Sequence, residues 1–236
     1  MLWNLRFVLF ILFLLPLMAN AQSLPSERRE DVADSLYRED QFFVGITYNF
    51  LVNKPTDLKN RGLSGGIRGG YFRDMPLNLR RNVALAVGLG LAYDQFGHNF
   101  FVGEDDSGNT IFRILDENVG YDVNRFSMAS VNIPVEFRWR TSTPTDYRFW
   151  RAYAGATIGY AYWYKASFKQ LNNRVVQTKI PEFQPWRFSI NMAVGYGTFN
   201  FYASYDLNPF FKASNKDEDL NIEFNAVRIG LMFYIL

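Results

Sequence analysis

The stretch Val83-Ala84-Leu85-Ala86-Val87-Gly88-Leu89-Gly90-Leu91-Ala92-Tyr93 decides how the rest of the chain is read. Its odd positions, Val83, Leu85, Val87, Leu89, Leu91 and Tyr93, are all large and apolar. Its even positions, Ala84, Ala86, Gly88, Gly90 and Ala92, are all tiny. A period of two is the strand period, because successive side chains leave a strand on opposite faces. The large face can meet lipid or a soluble core. The tiny face must meet something that comes very close, such as the crowded interior of a narrow closed barrel. About eleven residues is also the length of a tilted membrane-crossing strand.

Seven further segments share this period: residues 41–51, 64–73, 126–140, 150–165, 186–196, 199–207 and 223–236. In the fourth strand so defined, Val131, Ile133, Val135, Phe137 and Trp139 alternate with Ser130, Asn132, Pro134, Glu136 and Arg138. In the fifth, Ala154, Ala156, Ile158, Tyr160 and Tyr162 face outward, and Arg151, Tyr153, Gly155, Thr157, Gly159 and Lys165 face inward. The connections alternate in length. Residues 52–63, 94–125, 166–185 and 208–222 are long, and residues 74–82, 141–149 and 197–198 are short. Outer-membrane barrels have short turns on the periplasmic side and long loops outside, whereas a soluble sandwich has no reason to segregate them. The expected fold is all-β: an eight-stranded antiparallel up-and-down transmembrane β-barrel over residues 41–236, with both mature termini in the periplasm.

The first 21 residues carry Arg6, an apolar run over residues 7–18 and the small-x-small triplet Ala19-Asn20-Ala21, the signature of a signal peptide cut before Gln22. Residues 22–40 hold three arginines and six acids and read as a polar periplasmic tail. The chain has no cysteine, so disulfides, thiolate metal sites and a lipoprotein anchor are excluded. Its net charge is +2, and removing the leader with Arg6 leaves +2 − 1 = +1, which does not suggest nucleic acid. Aromatic residues make up 18% of the chain while mean hydropathy is only −0.14, as an alternating barrel requires and a helical membrane protein does not.

Two sets of residues carry the functional reading. Tyr93, Trp139, Trp150, Tyr162, Tyr164 and Trp186 fall at strand ends and are expected to form aromatic girdles at the two membrane interfaces. Arg68, Asp94, Glu136, Arg138, Arg151, Lys165, Arg187, Asp206 and Arg228 are expected to face the lumen. An eight-stranded barrel is just wide enough for side chains to fill it, so this polar set reads as a lock rather than a conduction path. Glu136 is expected to pair with Arg228, Arg68 or both. Val87 and Ile133 are expected outside, near mid-membrane.

Little else suggests chemistry. His98 is the only histidine and has no cysteine or histidine companions, so no metal site is expected. Glu104-Asp105-Asp106-Ser107-Gly108-Asn109 lacks the spaced ligands of an EF-hand and reads as a solvated acidic loop. With no nucleophile motif or phosphate-binding loop, neither catalysis nor a cofactor is expected.

The segment Val131-Asn132-Ile133-Pro134-Val135-Glu136-Phe137-Arg138 resembles the fourth strand of the PorT-like, or "porin family", eight-stranded barrels of Bacteroidota. The glycine- and aromatic-rich Tyr153-Ala154-Gly155-Ala156-Thr157-Ile158-Gly159-Tyr160 and the closing Val227-Arg228-Ile229-Gly230-Leu231-Met232-Phe233-Tyr234 are similar to the same family. The resemblance implies a non-enzymatic structural or accessory subunit of an envelope machinery, such as type IX secretion and gliding or outer-membrane protein assembly. Its partners would be outer-membrane lipid and other envelope proteins. A small diffusion channel, or a surface-binding barrel working through residues 94–125, are the alternatives.

Overall fold

The computed structural model describes residues 40–235 other than residues 56, 106, 117, 142–148 and 216–219. The expected leader, and the expected tail apart from Asp40, lie outside the described residues. Eight long strands form the wall: β1 (Gln41–Val52), β2 (Gly65–Pro76), β3 (Val83–Gly97), β6 (Val123–Arg140), β7 (Trp150–Gln170), β9 (Trp186–Tyr196), β10 (Phe199–Asp206) and β13 (Asn225–Ile235). Each pairs antiparallel with its neighbours in chain order, and β1 pairs with β13 to close the ring. This is the expected up-and-down barrel, and closure leaves none of its eight strands with an unpaired edge in the membrane.

The long connections are more structured than loops. The third strand's connection folds back as a hairpin of β4 (Phe100–Glu104) and β5 (Thr110–Ile114). The next carries β8 (Asn173–Gln177) as an extension of β7, and the last holds β11 (Ala213–Asn215) paired with β12 (Leu220–Ile222). The acidic stretch after Glu104 is the tip of the β4–β5 hairpin. There the Asp105 carboxylate accepts the N–H groups of Ser107 and Asn109, each at 2.8 Å. These hydrogen bonds hold its carboxyl below the usual carboxylate range.

The small face of β3 meets rings that cross the lumen. A Cβ at Gly88 would lie 2.7 Å from the Phe72 ring, and one at Gly90 would lie 2.8 Å from the Phe43 ring. Both distances are well inside van der Waals contact, so the rings of β1 and β2 occupy the space that the missing side chains leave. On the other face Leu85, Val87, Leu89 and Leu91 are exposed, in a belt continued by Ile46, Ile133 and Ile158. Such a belt has only lipid to cover it.

Two expectations about facing and depth need correction. A register shift lies between Ala129 and Ser130: Ala129 stands opposite Trp163 and Ser130 opposite Ala161, so Tyr162 is an extra residue in β7. A bulge of this kind reverses the alternation beyond it. Trp163 and Tyr162 are therefore both exposed, whereas Tyr164 turns inward to stack on Phe126 and Phe183. Tyr164 is not a girdle residue, and Lys165, level with Ser127, lies on the outer wall rather than in the lumen. As for depth, Val87 stands opposite Arg73, a half-exposed outward arginine paired with Asp40. Val87 therefore lies toward the end that bears the termini. Leu89, opposite Tyr71, is closer to the middle.

Candidate functional site

The lumen holds the buried charges, and it arranges them in two clusters separated by depth. Strand alternation places Arg68, Asp94, Arg187, Asp206 and Arg228 on the inner face toward the long-loop end. Arg228 donates to Asp94 at 3.0 Å and to Asp206 at 2.6 Å. Asp206 also receives Arg187 at 2.7 Å, and Asp94 also receives Arg68 at 3.3 Å and the Asn49 amide at 2.9 Å. Arg68 further donates to the Tyr202 hydroxyl at 3.1 Å. Five charged groups from five strands thus form one chain of ion pairs across the barrel.

The second cluster lies toward the end with the termini. Arg138 donates to Glu136 at 3.0 Å and to Asp74 at 3.4 Å, and Asp74 receives Arg140 at 2.8 Å. The remaining Glu136 oxygen accepts the Asn191 amide at 3.0 Å, and Gln41 accepts from Arg138 at 3.2 Å. Aromatic rings enclose the Arg138 guanidinium: its carbon lies 4.1 Å from the Phe72 ring centre and 4.6 Å from that of Tyr153. A planar, weakly hydrated cation is well suited to such an enclosure. Glu136 therefore pairs with its neighbour two residues along the same face, and not with Arg228 or Arg68. Those two are claimed by Asp94 and Asp206 at another depth. Arg151 also points inward and is buried, over the Phe149 ring at 4.5 Å, but it joins neither cluster. Its Nε and Nη1 have no hydrogen-bond partner among the described residues.

Sequence reasoning missed Asp74, Arg140, Asn49 and Asn191. The signal was present, since Asp74 continues the inward parity of Arg68 and Arg140 that of Arg138. Ending the second strand at Arg73 assigned Asp74 to a turn. Of the expected girdle residues, Trp139 and Trp150 are exposed at one end of the barrel. Tyr93, Tyr162 and Trp186 are exposed at the other, where Trp163 stacks on Tyr93.

Above the upper cluster lies an apolar layer that sequence periodicity could not show. Phe96, Phe100, Phe112, Phe126, Phe183, Phe210, Phe211 and Phe224 pack with Leu58 and Ile180 into one buried core. It is drawn from the barrel rim and from all four long connections. Arg187 binds it to the charges below, donating to the carbonyls of Asn208 and Pro209, each at 2.9 Å, with Phe210 over its guanidinium at 4.1 Å. Asn99 joins two of the connections, accepting the Lys59 N–H and donating to the carbonyls of Asp57 and Leu115. Between the upper and lower clusters there remains a cavity of about 60 Å³.

His98 is buried against Phe100 of this layer, its Nδ1 accepting the Phe100 N–H at 3.2 Å. Burial pushes the imidazole down to about 4. Between pH ~6.5 and that value the opened segment binds a proton that the closed one does not. The stabilisation is therefore complete above ~6.5 and is lost as the pH falls toward 4, by up to ~3 kcal/mol. Hydrogen exchange of the β4 and β5 amides should accelerate at pH 4.5 relative to pH 7, and His98→Gln should flatten that difference. Equal protection at both pH values in the parent protein would refute the coupling.

A closed ring of eight tilted strands, an outer apolar belt with aromatic ends and a charge-filled interior are together the anatomy of a barrel that sits in an outer membrane. No curated protein matches the chain at a significant level. The family model described as "Outer membrane protein beta-barrel domain" matches residues 20–214, most of the chain. The chain belongs to that family of outer-membrane β-barrel proteins.

Proposed function

We propose that this protein is a plugged, non-enzymatic barrel that acts as a structural or accessory subunit of an envelope machinery. Its long connections would face outward and both mature termini would face the periplasm, after a leader is removed before Gln22. The observation that carries the reading is the filling of the lumen. Two ion-pair clusters and an aromatic layer cross the lumen, and the cavity enclosed between the clusters is about 60 Å³. A hydrated ion needs a continuous water path, and side chains held by several hydrogen bonds each do not move aside cheaply. A scaffold subunit needs a rigid wall and no conduction, which is what such a lumen provides.

The resemblance of the strand segments to PorT-like barrels favours type IX secretion and gliding, or outer-membrane protein assembly, as the machinery served. Recordings in planar bilayers should give no steady conductance from the purified barrel. A large, reproducible single-channel step would overturn the plugged reading and favour a diffusion channel. Affinity purification of the intact membrane complex should recover other envelope proteins in fixed ratio, and recovery of the barrel alone would count against a subunit role.

A further inference from the structure

The bulge at Tyr162 does more than turn Tyr164 inward. By moving Lys165 to the outer wall it builds a distinct surface on β3, β6 and β7. Three rows of outward residues stack there toward the long-loop end. In the first, Tyr93 and Trp163 flank Ala129, their rings stacked with centres 6.3 Å apart. In the next, Gln95, Ser127 and Lys165 are level, and in the third Arg125 stands level with Ser167. Arg125 and Lys165 are diagonal neighbours across adjacent strands, within reach of one ligand. Lys169, one row farther, is held by Asp122 at 3.4 Å. Neither Arg125 nor Lys165 has an ion-pair partner among the described residues.

A stacked Tyr–Trp pair on a lipid-facing wall marks headgroup depth, because amphipathic rings are most stable there. These two cations, one and two rows beyond it, stand where lipid phosphates stand, with the Ser167 hydroxyl beside them as a further donor. We propose that this surface binds a phosphate of an anionic glycolipid in the outer leaflet, of the lipid A type. Arg125 and Lys165 supply the charge, Ser167 a neutral hydrogen bond, and the Tyr93–Trp163 pair packs against the sugar or the upper acyl chain, while Ser127 is buried beneath its neighbours. The proposal rests on the outward orientation of the long connections stated above.

The test uses the full barrel in detergent micelles and native mass spectrometry. The probes are diphosphorylated lipid A, its fully dephosphorylated form and free inorganic phosphate. The parent should retain the phosphorylated lipid at least about tenfold better than the dephosphorylated one. Arg125→Gln/Lys165→Gln should weaken that retention by about 10- to 30-fold. Unchanged mobility of the unheated barrel on gels would show that the double variant folds, and Lys165→Gln alone is a milder second variant. Arg125→Lys should restore most of the binding. Equal retention of both lipids, or a double variant that binds like the parent, would overturn the proposal. So would full displacement by millimolar inorganic phosphate, which would make the surface a general anion site. Binding in micelles does not depend on which way the barrel is inserted. Protease accessibility of the long connections on intact cells reads that orientation separately, so failure of the one is distinguishable from failure of the other.

Discussion

Asp206→Ala is expected to destabilise the barrel by ~3–5 kcal/mol, the usual cost of removing one partner from a buried charge pair. Asp206 is almost fully buried and its two oxygens serve two guanidiniums, Arg228 at 2.6 Å and Arg187 at 2.7 Å. Arg228 would keep Asp94, but Arg187 would be left with only backbone carbonyls. Those carbonyls belong to the connection that roofs the lumen, so the damage should spread into the aromatic layer. Adding Arg187→Met should recover part of the loss, because a double deletion leaves fewer buried charges unpaired. Glu136→Gln combined with Arg228→Met should behave differently. Their partners are disjoint, Arg138 and Asn191 for one, Asp94 and Asp206 for the other, so the two losses should add within ~0.5 kcal/mol. Urea unfolding of the barrel in lipid vesicles reads all of these values. A strictly additive Asp206/Arg187 pair, or a strongly coupled Glu136/Arg228 pair, would show that the clusters are divided differently.

The contrast between those two pairs shows what the sequence could and could not carry. Alternation is a property of one strand, and it placed Arg68, Asp94, Glu136, Arg138, Arg187, Asp206 and Arg228 on the inner face without reference to any other strand. Pairing is a property of register between strands, which depends on the stagger that closes the ring. Glu136 and Arg228 share the inner face and yet belong to different depths, and no count along either strand reveals that. The bulge is a harder case. One extra residue in β7 reversed the facing of Tyr164 and Lys165, and Tyr160-Ala161-Tyr162-Trp163-Tyr164 offers aromatic side chains of either parity. The aromatic layer was hidden for a different reason. Its members come from connections with no period, so burial there is set by tertiary contact alone. The wall was legible because repetitive structure leaves a repetitive pattern, and the roof was not.

The lipid face supplies the other large effect, and here register sharpens what alternation had suggested. Charge on the outer wall of such a barrel costs ~2–4 kcal/mol for Arg at the bilayer midplane and falls toward zero at the interfaces. Leu89 and Ile133 are both exposed on the outer wall, and Ile133 stands opposite Ile158. Leu89→Arg and Ile133→Arg should each cost close to the full amount. Val87→Arg should cost clearly less although it lies on the same face of the same strand. Its neighbour Arg73 already holds a charge at that depth, and the long arginine stem can lift its head toward the same headgroups. The adjacent inward position gives a control of another kind. Ala86 is fully buried, level with Asp74 and Glu136, so Ala86→Arg should fail by overfilling the lumen even in detergent, where the lipid-face variants are relieved. Folding yields in bilayers and in micelles, measured side by side, separate the two modes. If Val87→Arg and Leu89→Arg lost the same stability in bilayers, the depth inferred from Arg73 would be wrong. If Leu89→Arg folded into bilayers as well as the parent, the outer wall would not be facing lipid at all.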